Sequence, residues 1–426
     1  MTRPEPFDPQ ILAQIRDRFH YADRDPQSGR RVFLDGAAGS LRLKEAVGTL
    51  AQWSRRPDAI GRPSPGSIQA STSIEMGNAS VRDFLGAGDR VVMPAMSAVH
   101  AIFRAVGAAM VGGEGDNIVT TELDHPGAFD AAKYFGDQFR KEVRVARLDP
   151  GTGRVPASRV LDLVDERTDA IVVTHASNDT GAVVDVETIA AGARIRNPQA
   201  ITIVDGVQYA AHRPVDVLQL DADAYIFAPY KVFGIKGIGF GVLSDRLATL
   251  PHWKLDAAPP HAWKLGSMED ATYAAWTAVV DYLEWLGGEL GDPADRRQAL
   301  LLAMGATARH DAFLLDRFRH GTDSLPGLAH ITGVQIHGGS DGIGDRICIM
   351  ILSFDEIDAS TATQMYEQAG IAVRARNLDI YSGRVLEALG CGPVVRVSTC
   401  HYTTAAEVDS FLRATAAIAA GRPASR

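Results

Sequence analysis

The chain has 426 residues, 46% hydrophobic and 22% charged, an ordinary globular composition with room for one large core and a smaller second domain. A formal net charge of −9 offers no basic footprint for nucleic acid, and no segment is both apolar and long enough to span a bilayer. The three cysteines, Cys348, Cys391 and Cys400, are too scattered for a disulfide framework or a zinc cluster, so buried reduced thiols and no bound metal are expected.

In chain order, the first ten residues are polar and proline-rich, with no basic stretch leading into an apolar run, which reads as a cytosolic start. Ile11, Leu12, Ile15 and Phe19 then repeat with helical spacing, so the N-terminal arm is expected to dock one apolar face on the body or on a partner subunit. From about residue 90 to 244, short β-branched runs alternate with helical patterns, as in a parallel sheet wound with helices. The runs are RVVM at 90–93, NIVTT at 117–121, VRVARL at 143–148, AIVVT at 170–174, ITIV at 201–204, YIFA at 225–228 and IGFGVL at 238–243. They make seven candidate strands of an α/β domain. After Gly288 a helical stretch rich in Ala, Leu and Arg leads to CIMILSF at 348–354, IAVRA at 371–375, VVRVST at 394–399 and a final helix with Val408, Phe411, Leu412 and Ile418 on one face. The pattern predicts an arm over 1–40, a large domain over 41–288 and a smaller α+β domain over 289–426. No low-complexity linker intervenes, so the two domains are expected to share an extensive interface.

Ligands bind where the strands of an open α/β sheet end, and that edge collects reactive side chains here. Asp205 follows ITIV, Asn178 follows AIVVTHAS, His125 follows NIVTTELD and Lys231 follows YIFAPY. Plain alternatives stand beside three of them, and beside Gln208 three residues after Asp205: Asn178 caps a helix, Asp205 caps a turn or helix, Gln208 sits on a helix surface, and Lys231 is solvated.

Taken in order, several segments resemble the class V aminotransferase family, in its cysteine desulfurase-like branch. They are FLDGAAGSL at 33–41, GDNIVTTELDHPGA at 115–128, THASNDTGAVVDVETIA at 174–190, the block from Val204 to Leu243, WKLGSMED at 263–270, GIAVRARN at 370–377 and VVRVSTCHYTTAAEVDSFL at 394–412. The resemblance implies fold type I, with a seven-stranded, mixed but mostly parallel sheet, and pyridoxal 5'-phosphate as cofactor. It implies that Lys231 holds the cofactor aldehyde as an imine (Schiff base) and, once displaced by substrate, becomes the base at the α-carbon. It gives Asp205 the protonated ring nitrogen, Gln208 and Asn178 the phenolic oxygen, and His125 the ring face with a possible proton-relay role. Phosphate contacts fall to Met96 and Ser97 at a helix N-terminus, to the Tyr230 hydroxyl, and to Ser267 reaching a neighbouring subunit, which implies a homodimer. Ser267 alternatively caps the helix before Glu269 and Asp270. Arg396, a charge inside an apolar strand, is implied to clamp the substrate carboxylate, with Arg374 and Arg376 as weaker candidates; the alternative is an edge-strand arginine with its head in water.

The sequence also departs from the desulfurase pattern. Persulfide chemistry needs a thiol on the loop after IAVRA, yet Asp379 or a neighbour stands there and no cysteine lies between Cys348 and Cys391. Lys236 in GIKGIGFG stands either near the phosphate or on the surface. Neither glycine-rich run has the dinucleotide fingerprint, so a nicotinamide enzyme is rejected. The expectation is a transferase or lyase acting on an amino acid or related amine, by transamination or β-elimination. An epimerase of the same fold and a non-catalytic scaffold are the alternatives.

Overall fold

The computed structural model describes residues 6–57, 60–339 and 343–423. The arm consists of α1 (Pro9–Asp17), a two-residue hairpin of β1 (Arg24–Asp25) and β2 (Gly29–Arg30), and β3 (Val32–Phe33). Asp8 caps α1 through the Gln10 N–H, and Ile15 and Phe19 are buried in the main core, so the apolar stripe does dock on the body. Two helices follow, α2 (Lys44–Trp53) and α3 (Pro65–Leu85), the second capped by Ser64 and closed by Gly86 in a left-handed conformation.

The large sheet contains β4 (Val91–Ala95), β5 (Asn117–Thr121), β6 (Glu142–Ala146), β7 (Thr168–Thr174), β8 (Ile201–Asp205), β9 (Ala224–Phe227) and β10 (Gly239–Leu243), in the order β4-β10-β9-β8-β7-β5-β6. All neighbours are parallel except β10, which runs against both β4 and β9. Helices cover both faces, which is why the central strands read as mostly apolar runs, while the edge strand β6 carries Glu142 and Arg144. Val119, Ile171, Val173, Val204 and Phe227 point into one core with α3 and the later α7 (Ala271–Leu290). Ile118, Ala170, Val172, Ile203 and Ile226 point into the other, with α4 (Ala98–Gly112) and α5 (Pro126–Phe139). A further crossover helix, α6 (Val186–Arg196), is capped by Asp185.

Beyond α7 come α8 (Arg296–His320), β11 (Val334–His337), β12 (Ile349–Phe354), α9 (Ala359–Gln368), β13 (Ile371–Ala372), β14 (Arg374–Arg376), α10 (Gly383–Leu389), β15 (Val394–Ser398) and α11 (Ala405–Ala419). A four-stranded antiparallel sheet, β11-β12-β15-β14, carries its own core with Phe318, Tyr366 and Phe411. The run IAVRA, expected as one strand, is two. Ile371 and Ala372 pair in parallel with Val32 and Phe33 of the arm, and Arg374–Arg376 then pair with β15, so the chain changes partner at Val373. The segment after β7 is stitched to the second sheet by Val183 N–H to Asp345 O (2.9 Å) and Ile347 N–H to Gly181 O (2.9 Å). Among the described residues no helix is long and apolar enough to cross a membrane.

Candidate active site

Because β4, β5, β7, β8 and β9 run the same way and β10 runs back, the ends of five strands and the start of a sixth share one edge of the sheet. A cavity opens there, lined by Ser97, Ala98, Val99, His125, Asn178, Asp205, Gln208, Tyr230 and Lys231 with a few smaller neighbours. The edge expected to be reactive thus gathers seven of the predicted residues from five separate segments.

Lys231 sits in a single 3-10 turn after β9 and is 7% exposed. Its Nζ donates to the carbonyl of Ala37 and lies 5.0 Å from the centre of the Tyr230 ring. Burial, helped by the charge on Arg396, lowers its pKa to about 7, so a large share of the amine is neutral near neutrality. Asp205 ends β8, 4% exposed, with Oδ1 accepting the Val207 N–H at 3.0 Å. Burial raises its pKa to about 6, and a cation brought against it would draw it back down. Gln208 is not a surface residue: it is buried, and its Nε2 donates to the same Ala37 carbonyl at 3.0 Å.

His125 caps α5 by accepting the Gly127 N–H on Nδ1 at 3.1 Å. Burial and the nearby cations push its pKa to about 4, so its imidazole is neutral at physiological pH. Asp124, just before it, is fully buried and accepts from Thr120 Oγ1 (2.9 Å), Thr121 N (2.7 Å) and Thr174 N, which ties the ends of β5 and β7 together and fixes where His125 stands. Asn178 does not cap a helix, since the next one, α6, is capped by Asp185; it is buried on the cavity wall.

The first turn of α4 faces the cavity through Ser97, Ala98 and Val99, and its free N–H groups and dipole suit an anion. Ser97 caps this helix, accepting the His100 N–H at 3.1 Å. Only glycine fits opposite: a Cβ on Gly239 would lie 2.4 Å from the Ala98 nitrogen. Met96 does not join Ser97 on the cavity wall; its side chain is 71% exposed. Ser267 is exposed and off the wall of this chain's cavity, and it is not the cap of α7, which is Asp270. Lys236 is exposed but stands 5.6 Å from the Tyr230 ring, at the margin of the site.

Arg396 stands one layer behind the cavity, 3% exposed, so its head is not in water. It donates to the Asn178 carbonyl (2.9 Å) and to Asp35 (3.2 Å), and lies 3.8 Å from Asp179. Arg374 holds the other Asp35 oxygen at 2.8 Å, while Arg376 and Ser382 hold Asp179. Two carboxylates and three guanidiniums therefore share charge behind Asn178. Asp35 and Asp179 were not foreseen, although an acid inside the apolar run FLDGAAG and another beside Asn178 were visible signals.

Together the donors suit a flat, phosphorylated heteroaromatic aldehyde: an amine for the carbonyl carbon, a carboxylate for a cationic ring nitrogen, a neutral imidazole beside the ring and a helix N-terminus for the phosphate.

A family model described as Aminotransferase class-V matches residues 32–263, more than half of the chain. A protein named probable cysteine desulfurase from Mycolicibacterium paratuberculosis is 26% identical over 96% of this chain, which spans 58% of that protein's length. A cysteine desulfurase of Pectobacterium carotovorum is 24% identical over 94% of this chain and 96% of its own. Among solved structures, the apo cysteine desulfurase of Thermococcus onnurineus superposes with a TM-score of 0.77 at 20% identity, covering 92% of this chain and 95% of that one. The cysteine desulfurase CsdA of Escherichia coli gives 0.75 at 21%, covering 96% and 98%. At these identities the structures show the fold.

Proposed function

The chain belongs to the class V aminotransferase family and is a pyridoxal phosphate-dependent enzyme, and from that premise we propose that it transforms an amino acid or related amine, by transamination or by elimination at the β-carbon, with Lys231 as its central residue. The observation that carries this reading is the convergence of Lys231, Asp205, His125, Gln208, Asn178, Tyr230 and Ser97 on one cavity.

Bound there, the cofactor supplies an electron sink for charge released at the substrate α-carbon. Lys231 carries it; Asp205 meets the ring nitrogen and keeps it protonated; Gln208 and Asn178 flank the phenolic oxygen. Ser97, the first turn of α4 and Tyr230 receive the phosphate. Lys231 Nζ then takes the substrate α-proton and returns it, which a desolvated amine of lowered pKa does well near neutral pH. His125 stands beside the ring as a neutral imidazole able to relay a proton. We place the substrate carboxylate toward Arg396, where it competes with Asp35. Ser267 reaches a neighbouring subunit's phosphate in the homodimer we propose.

The test is a panel of L- and D-amino acids with keto acid, pyruvate and sulfide read together. Transamination requires restoration by a keto acid, and elimination releases pyruvate. Racemised substrate alone, or no product from any of them, overturns the proposal.

Two expectations follow from the same geometry. Uptake of pyridoxal phosphate by stripped protein should speed up about tenfold per pH unit below pH 7 and level off above it, because only the neutral Lys231 amine attacks. Stopped-flow absorbance measures this, and a rate still climbing at high pH means an ordinary lysine. Arg396→Ala should raise KM about ten- to a hundredfold with kcat largely kept, the loss of a charge-assisted contact to the carboxylate. A lowered melting temperature with KM unchanged reduces Arg396 to a bridge between Asp35 and Asp179.

A further inference from the structure

A second cleft, of roughly 890 Å³, lies between the β1–β2 hairpin of the arm and the first turns of α11. It shares no lining residue with the cavity around Lys231. Five arginines line it, in a chain whose net charge is −9.

Two of the five are committed within the protein. Arg16 is held by Asp23, by both oxygens of Glu407 (3.0 and 3.1 Å) and by the Tyr402 carbonyl (2.6 Å). Arg31 lies 3.6 Å from Asp25 and over the Phe33 ring, but its Nη1 is buried with no hydrogen-bond partner. The other three, Arg24, Arg30 and Arg413, are exposed, and none is in a salt bridge among the described residues. Arg413 makes one long bond, 3.4 Å to Ser410 Oγ.

Arg24 and Arg30 are direct cross-strand partners on a ladder of only two residue pairs. Like charges placed opposite each other destabilise such a pair, and neither arginine has a salt bridge among the described residues to offset it. An anion with two adjacent negative groups removes that conflict.

We propose that this cleft binds a diphosphate or polyphosphate group, free or carried by a nucleotide, with Arg24, Arg30 and Arg413 as its contacts. Guanidinium forks match phosphate oxygens in pairs. A concave cleft of this volume suits a small ligand rather than a flat macromolecular surface. The ligand would join the arm to α11, adding to the clasp that Arg16 already makes with Glu407.

The experiment uses cofactor-loaded protein, titrated by calorimetry and thermal shift at fixed ionic strength with pyrophosphate, ATP, adenosine and sulfate. Pyrophosphate and ATP should each raise the melting temperature by a few degrees, roughly, once in hundredfold excess over Kd. The Arg24→Ala/Arg30→Ala double variant and Arg413→Ala should each weaken binding about tenfold or more, with cofactor absorbance and basal activity unchanged. Equal affinity for pyrophosphate and ATP identifies the phosphates alone as the ligand; tighter ATP adds a contact to the base, and both support the site. No binding of either at about 1 mM and low salt overturns it. So does binding that survives the double variant, or sulfate matching pyrophosphate.

Discussion

Lys231→Ala is expected to lower amino-acid turnover by about 10⁴-fold or more, since it removes the cofactor-carrying amine and the α-proton base together. The fold should survive. Truncating a buried amine relieves its desolvation, and the Ala37 carbonyl keeps Gln208 as a donor at 3.0 Å. Lys231→Arg is the sharper control, because guanidinium keeps the charge and fills similar space but neither loses its proton nor condenses with an aldehyde. Activity is read by single turnover, and the attachment point by mass spectrometry after borohydride reduction. A wild-type adduct on any other lysine, or an active Lys231→Ala protein, ends the assignment.

Asp205→Asn is expected to cost on the order of 10²- to 10³-fold in kcat, the range for removing one preorganised electrostatic partner. The amide is nearly isosteric and its oxygen still accepts the Val207 N–H, so β8 should be undisturbed. It carries no charge, however, and cannot keep a pyridine nitrogen protonated. Asp205→Glu should recover part of the loss. A variant that stays within tenfold of wild type, with cofactor bound, places the ring nitrogen elsewhere.

Much of this was legible in the sequence for a physical reason. A strand buried on both faces is mostly apolar, so seven short runs announced seven strands, and polar residues within four positions after four of those runs marked the ligand edge. That is how Asp205, Asn178, His125 and Lys231 could be found before any coordinates. What stayed hidden depends on contacts between distant residues. Asp35 meets Arg396 across 361 positions and Arg376 meets Asp179 across 197, and no local periodicity reports such pairs. The same blindness explains IAVRA. Its composition says strand, but the exchange of partner from the arm to β15 is a tertiary event. Met96 and Ser97 were equally plausible as openers of α4, and only the rotation of the first turn separates the exposed one from the one on the wall.

The reversed direction of β10 has its own consequence. Residues 228–238 run from the end of β9 to the start of β10, whose pairing begins at Phe227 and Phe240, so this segment is anchored in the same ladder on both sides. Elsewhere in the sheet a crossover helix would give slack; here there is none. The backbone under the lysine is a short bridge with fixed abutments, and only side-chain torsions remain to carry its nitrogen between targets. Lengthening that bridge by even one glycine should harm the chemistry more than insertions at 377–382, a mostly exposed stretch that meets His125 through the Tyr381 ring.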